Sequence, residues 1–462
     1  MPFFALRLSS MIKRILQHFA ARVLTAGLSF GVVWLTARYL GATGRGQVSL
    51  FVTDMAGLSL LAGLVGGSSL IYLVPRRNLW HLLRPAYAWA LVVSVAGAGV
   101  VGLLRPVGAA YVGHLAAVTL VQVLLSINVF LLLGRQREST YNVLTAAQAG
   151  LLVGGLGLAF AVGHWLSLTA YYYANYLAYG LPWLISLGLL LRLPAVAEAP
   201  EAAAPASGWA TASGWATARE LARHSRGAHL SNVLAFANYR FGYYAVAYLA
   251  GARAVGVLSV GVALAEAIWL IPRSTALIQY VALVNAADKH GQTHAALRGS
   301  RLTLLATAGA VLGLAAVPAG WLAAVFGPEF GGAHGIILAL APGILINGAG
   351  MPAGTYFAGT GRYGVNNRAA LLGLAATVPA ALLLVPRLGP VGAALGMSAS
   401  YAISIAYLVW HYRRATGATW LDLLPGPADV RWLVLRITLA RARPHQTPGK
   451  EAETGLREHS PQ

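Results

Sequence analysis

Twelve apolar stretches, each about a membrane thickness long, follow one another along this chain, and no other feature constrains its fold as tightly. They run over 15–37, 48–74, 85–104, 109–133, 142–163, 168–191, 229–249, 255–284, 302–325, 334–358, 367–386 and 390–412. A helix of about 20 residues crosses the hydrocarbon core of a bilayer. Backbone amides find no water there, so each stretch must satisfy its own hydrogen bonds as a helix. Composition agrees: of 462 residues 58% are apolar and 10% charged, whereas soluble domains carry about a quarter charged residues. A water-soluble fold of this length would lack the polar side chains to cover itself. The predicted fold class is an all-α polytopic membrane protein with twelve transmembrane helices. The first stretch is not read as a cleavable signal peptide: it is long, contains Arg22 and has no small-residue cleavage site.

Lys and Arg outnumber Asp and Glu by 33 to 13. In a soluble chain that excess would suggest nucleic acid, but here it follows the loops. With the N-terminus placed inside, the inner segments hold 25 basic residues. The outer segments hold 5 (Arg38, Arg45, Arg105, Arg253 and Arg387) and the spans 3. This bias predicts that both termini are cytoplasmic, and no nucleic-acid partner is expected. The absence of cysteine excludes disulfides, thiolate metal sites and Cys nucleophiles. Gly-rich runs at 63–67 and 154–157 lack the preceding strand and the Gly-Lys-Ser/Thr of a phosphate loop and read as helix-packing positions. No ATP site, cofactor, metal site or catalytic residue is expected.

A hydrophilic stretch at 192–228 divides the spans six and six. Its Ala/Pro/Gly/Ser-rich composition, with Ser-Gly-Trp-Ala-Thr-Ala occurring at both Ser207–Ala212 and Ser213–Ala218, reads as a flexible linker. The predicted organisation is a cytoplasmic N-terminal segment (1–14), an N-terminal lobe (15–191), the linker, a C-terminal lobe (229–412) and a basic tail (413–462). In the tail, Asp429–Arg443 interleaves arginines with apolar residues and suits an interfacial helix on anionic lipid, while 444–462 reads as disordered. The lobes echo each other at an offset of 210. Gly41, Ala42, Gly46 and Ser49 recur as Gly251, Ala252, Gly256 and Ser259, and Val23, Leu24 and Ala37 recur as Val233, Leu234 and Ala247. With an even number of spans per half, the repeats are parallel, and a site is expected between them.

Several stretches resemble one family. Ala37-Arg38-Tyr39-Leu40-Gly41 with Gly44-Arg45-Gly46 is similar to the first outer loop of polysaccharide and oligosaccharide flippases. Asn238-Tyr239-Arg240-Phe241, Tyr248-Leu249-Ala250-Gly251, Val255-Gly256 and Leu264-Ala265-Glu266 resemble their span 7–8 region. Phe326-Gly327-Pro328-Glu329-Phe330, Leu340-Ala341-Pro342-Gly343 and Pro386-Arg387-Leu388-Gly389-Pro390-Val391-Gly392 resemble their later signatures. The resemblance covers about residues 15–412 and implies the Wzx-type branch of the MOP superfamily, related to MATE transporters and MviN-type lipid II flippases. It implies two six-helix lobes working by alternating access in the bacterial inner membrane. The implied cargo is an oligosaccharide on a polyprenyl (undecaprenyl) diphosphate, moved for cell-surface polysaccharide biosynthesis. The implied partners are membrane lipid, a polysaccharide polymerase and glycosyltransferases. Relatives often carry an acid soon after the span 7 Asn/Arg motif. Here Arg240-Phe241-Gly242-Tyr243-Tyr244 has none, so no coupling role is assigned there.

An arginine at a span centre costs about 2.5–3.5 kcal/mol on insertion scales, so intramembrane charges are the first functional candidates. Arg22 (span 1), Arg240 (span 7) and Arg273 (span 8) are expected to hold the diphosphate, because guanidinium groups bind phosphate oxygens through forked, charge-assisted bonds. The repeat sets Arg22 opposite Asn232 and Arg240 opposite Phe30, so the cations are asymmetric. Snorkelling to the interface is the competing role of Arg22 and Arg273. Asp54 and Glu266, the two acids inside spans, are candidates for ion or proton coupling or for structural ion pairs. Gln122, Asn128, Asn232, Asn238 and Tyr239 are candidates for sugar hydroxyls or for bonds between helices. His114 is expected to be satisfied locally, and Tyr171, Tyr172 and Tyr173 to sit at the outer interface.

Three competing functions follow. A MATE-type drug or metabolite antiporter would favour acids in the cavity. A membrane glycosyltransferase or ligase needs a large outer loop, and none is present. A non-transporting scaffold of the glycan assembly complex would need neither.

Overall fold

The structure, a computed structural model, describes residues 2–67, 69–75, 77–193, 214–276 and 289–419, with isolated positions between 422 and 431. Side chains are described from Val23 onward except at 214–215, 224, 226–228 and 289–300. The first copy of the hexapeptide, the disordered segment and most of the tail helix expected from the sequence therefore lie outside the described residues.

Among the described residues every long element is a helix. Eight are long and apolar enough to cross a membrane, and three of these are double-length, at Val23–Leu73, His229–Ala276 and Tyr363–Thr416. A pair bent by 79°, Arg301–Ala315 with Ala319–Phe326, supplies one more passage. The twelve predicted spans are thus present. Spans 1 and 2 share helix Pro2–Gly66, spans 7 and 8 begin in Gly214–Ala267, and spans 11 and 12 share Tyr363–Thr416. Spans 3, 4, 5, 6 and 10 are Leu79–Leu104, Ala109–Gly134, Glu138–Gly157, Leu168–Leu191 and Ala333–Gly359, and the bent pair is span 9.

Each double helix turns at a glycine: Gly41 (φ 66°), Gly251 (φ 82°) and Gly389 (φ 57°). A side chain disfavours this left-handed backbone, which accounts for glycine at both members of the repeat pair Gly41/Gly251. The end of the molecule carrying these glycines is called the turn end below, and the opposite end the linker end.

Each lobe has its own core. Phe51, Leu115, Ile127, Phe160 and Tyr171 belong to the N-terminal one, and Val246, Leu258, Trp269 and Tyr401 to the C-terminal one. A third, smaller cluster joins Ala37 and Ala42 to Val260, Phe326, Phe330 and Ile337 at the turn end, across the lobes.

The linker prediction needs a correction. The helix that becomes span 7 starts at Gly214, and Ala218 and Leu221 are buried in the N-terminal lobe's core. Arg77 pairs with Glu220 at 3.3 Å. Ala, Arg, Glu and Leu are strong helix formers, and the apolar residues three apart give 216–225 a face to bury. Residues 214–228, read from the sequence as linker, therefore belong to the helix of span 7, and the C-terminal lobe reaches back onto the N-terminal one.

Candidate functional site

The repeat residues build the joint between the lobes. A Cβ on Gly46 would collide with the carbonyl of Ala252, and a Cβ on Gly256 with the carbonyl of Ala42. The two contacts are reciprocal, as a two-fold axis between spans 2 and 8 requires. Small residues four apart, Ala42/Gly46 and Ala252/Gly256, let the two backbones touch. Glu329 strengthens this seam. Its Oε2 accepts the Ala42 N–H at 2.8 Å, and its Oε1 pairs with Arg253 at 3.0 Å. A carboxylate suits the N-terminus of span 2, where free N–H groups and the helix dipole meet. The indole N–H of Trp34 also reaches the carbonyl of Val325 across the lobes at 3.0 Å.

Beside the seam lies a cavity of about 410 Å³ walled by both lobes. Spans 1, 2, 5 and 6 contribute Ser29, Val33, Arg45, Ser49, Gln148 and Tyr179, and spans 7 and 8 contribute Arg240, Tyr243, Ser259 and Glu266. Its volume falls within the range of about 300–1,000 Å³ typical of small-ligand sites. Its charged walls are two guanidiniums and one carboxylate. Arg240 precedes Gly251 by eleven residues, about 16 Å along a helix, which is roughly half of a bilayer core.

Arg45 is 8% exposed. Its Nε donates to Ser259 Oγ and its Nη1 to Thr36 Oγ1, both at 3.0 Å. Among the described residues it has no carboxylate partner. Sequence reading assigned this residue to an outer loop, but the helix resumes immediately after Gly41, so Arg45 faces inward one residue before the Gly46 contact. That position in the seam motif was the signal available for it. Arg240 stacks over Tyr243 at 5.3 Å and pairs with Glu266 at 3.5 Å through a single oxygen. The other oxygen, Glu266 Oε1, is buried without a hydrogen-bond partner.

Pro272 explains the local structure around Glu266. It has no N–H to donate and disrupts the preceding turn. The helix tightens there: Trp269 N–H donates to Glu266 O at 3.0 Å and Ile271 N–H to Ile268 O at 3.1 Å.

The other candidates are placed differently. Arg22 lies on the helical backbone of span 1, but its side chain is outside the described set. Arg273 is exposed, stacks over Trp269 at 5.4 Å and does not line the cavity. Of the expected trio, Arg240 lines the cavity, Arg273 does not, and the side chain of Arg22 lies outside the described set; Arg45 is the second described cation on the wall. Asp54, with a side chain 1% exposed, is enclosed. It pairs with Arg105 and accepts hydrogen bonds from Tyr111 and, across the lobes, from Tyr244 at 2.9 Å.

Asn128 accepts from Tyr87 at 2.6 Å and donates to Ser186 at 2.9 Å, joining spans 3, 4 and 6. Asn238 accepts from Thr377 and Ser400 at 2.6 and 2.7 Å, joining spans 7, 11 and 12. Gln122 accepts from Ser59 at 2.9 Å. These three are engaged between helices, away from the cavity wall, because buried amides need partners. Tyr239 packs on Trp269 and Tyr401, each at 5.5 Å, and Asn232 is exposed near the start of span 7. His114 bonds Tyr176 at 2.9 Å and stacks on Tyr172 at 4.5 Å.

Fold and cavity together define a twelve-span, two-lobed membrane protein with a charged chamber between its lobes. Solved structures share this fold. An inward-facing multidrug resistance MATE family transporter of the MOP superfamily matches with a TM-score of 0.62 at 14% identity, covering 85% of this chain and 94% of its own. The inward closed lipid II flippase MurJ matches with a TM-score of 0.62 at 13% identity, covering 94% of both chains. A MOP superfamily transporter from Pyrococcus furiosus, described as having a binding pocket of reversed polarity, matches with a TM-score of 0.55 at 15% identity, covering 87% and 95%. No family model and no curated protein matches the sequence.

Proposed function

We propose that this protein is a flippase that carries an oligosaccharide on a polyprenyl diphosphate across the bacterial inner membrane by alternating access, for cell-surface polysaccharide synthesis. The observation that carries the reading is Arg45: a nearly buried guanidinium on the cavity wall, held among the described residues by the neutral hydroxyls of Ser259 and Thr36. A buried cation without a counter-ion is costly, and an anion arriving in the cavity removes that cost. Arg240, on the opposite lobe, offers a second guanidinium to the same anion. A diphosphate presents oxygens to both, and the prenyl tail stays in lipid. About 410 Å³ suits a headgroup and not a whole oligosaccharide, so passage of the sugars requires the lobes to part. The closed seam at Gly46/Gly256 then faces the outside, in keeping with cytoplasmic termini. Polymerase and glycosyltransferases would act on the same glycan before and after its crossing.

Glu266 in the cavity wall favours one alternative, a MATE-type antiporter of cationic drugs or metabolites. Reconstituted vesicles separate the readings. Flipping of a fluorescent polyprenyl-diphosphate oligosaccharide, uninhibited by cationic dyes, supports the flippase. Cation-driven efflux of such dyes without lipid flipping supports the antiporter, and neither activity supports a scaffold.

A further inference from the structure

Arg240 has a resident anion, Glu266, and an incoming phosphate would compete for the same guanidinium. We infer that Glu266 takes up a proton when a phosphate-type anion binds Arg240, so that anion and proton enter the cavity together. This inference rests on the anionic-cargo reading above and adds its coupling.

Three features carry it. The pair is half-made, one contact of 3.5 Å through Oε2, while Oε1 is buried and has no partner. Both residues line the cavity, so an anion in the cavity meets Arg240 and Glu266 together. Before Pro272 the Glu266 carbonyl accepts the Trp269 N–H three residues on at 3.0 Å, which anchors its backbone and not its carboxyl.

With a phosphate on Arg240, an ionised Glu266 would face a like charge at contact distance across one guanidinium. Two anions sharing one site do not both stay ionised. The groups around Glu266 are Arg240, Tyr239 and Tyr243 on span 7 and Tyr401 on span 12, with Arg45 across the cavity; Arg273, further along span 8, lies beside Tyr239 and Trp269. Arginine stays protonated and tyrosine neutral across the physiological range. Among the described residues Glu266 is the only acid on the cavity wall. The proton therefore comes from water to the Glu266 carboxylate, and an Oε–H then has a donor to offer the bound phosphate.

The balance closes with one anion and one proton entering and none released. Reciprocity follows: protonation favours anion binding as much as the anion favours protonation. An acidic outside would oppose release of the anion there, so the pair suits a carrier whose net drive comes from removal of the cargo or from another gradient.

The test uses the purified full-length protein in nanodiscs and inorganic pyrophosphate as probe. Binding heats in buffers of different ionisation enthalpy give the protons taken up per anion. Wild type should take up close to one proton more than Glu266→Gln. Its affinity should fall with rising pH more steeply than the variant's, by up to about tenfold per pH unit. An infrared difference spectrum of the wild type on adding pyrophosphate should show a new protonated-carboxyl band, a readout that does not depend on the variant folding. Equal proton counts with no such band would overturn the exchange while leaving the cationic cavity in place. Failure of the wild type to bind pyrophosphate at all would overturn the anionic-cargo reading, and this inference with it.

Discussion

Asp54 and Glu266 lie two residues from equivalence under the 210-residue repeat, yet their surroundings have little in common. Asp54 has both oxygens engaged, with Arg105, Tyr111 and Tyr244 as donors. Glu266 makes one long contact and keeps an oxygen without a partner. Asp54 is shut away, with a side chain 1% exposed, while Glu266 is 21% exposed and lines the cavity. At the seam the backbone of this protein is two-fold symmetric, while its charges are not. Gly46 and Gly256 make mirrored contacts, but Arg45 stands opposite Val255, and Asp54 opposite Leu264. The symmetric part joins the lobes, and the asymmetric part sets where the charges lie.

Removing the enclosed acid should have the largest effect. Asp54→Asn leaves Arg105 without its counter-ion and should destabilise the folded protein by about 3–5 kcal/mol, read as a fall in melting temperature in detergent. A fall no larger than that of Glu266→Gln would break the contrast between the two acids. Tyr244→Phe removes a cross-lobe bond to Asp54, a charged acceptor, and should cost about 1.5–3 kcal/mol. The seam makes a symmetric prediction: Gly46→Val and Gly256→Val should each cost about 1–3 kcal/mol by overpacking. Because the contacts are reciprocal, the two should agree with each other, and a large inequality would refute the two-fold seam. Glu266→Gln should be the mildest, below about 1 kcal/mol, since a long, partly exposed pair contributes little.

Much of the architecture was legible in the sequence. Apolar runs long enough for a bilayer give the twelve spans, and the recurrence of Gly41-Ala42 as Gly251-Ala252 marks both the turns and the seam, because close approach and a left-handed backbone admit few other residues. The start of span 7 was not legible at 192–228, since the Ala-rich composition that reads as linker also favours helix. Glu220 and Leu221 find their partners in a different lobe. At the site, Arg240 and Glu266 were visible as charges inside apolar runs. Arg45 was not, because hydropathy starts span 2 at Val48 while the helix starts at Ala42. The Asp54–Arg105 pair joins residues from different spans, and nothing local in either segment announces it. Asn128 and Asn238 looked like cargo contacts for the same reason. Polarity in an apolar run shows that a partner exists, and only the packing shows that the partner is another helix.

Under the proposed function, guanidiniums from both lobes, Arg45 and Arg240, receive one anionic headgroup in the cavity between them. The most direct test is the rate of polyprenyl-diphosphate oligosaccharide flipping in vesicles for Arg45→Gln and Arg240→Gln, with Asn128→Ser as a variant away from the cavity and correct insertion verified for each. At least a tenfold loss is expected for either arginine variant, with little change for Asn128→Ser. Wild-type rates in both arginine variants would contradict the shared headgroup site.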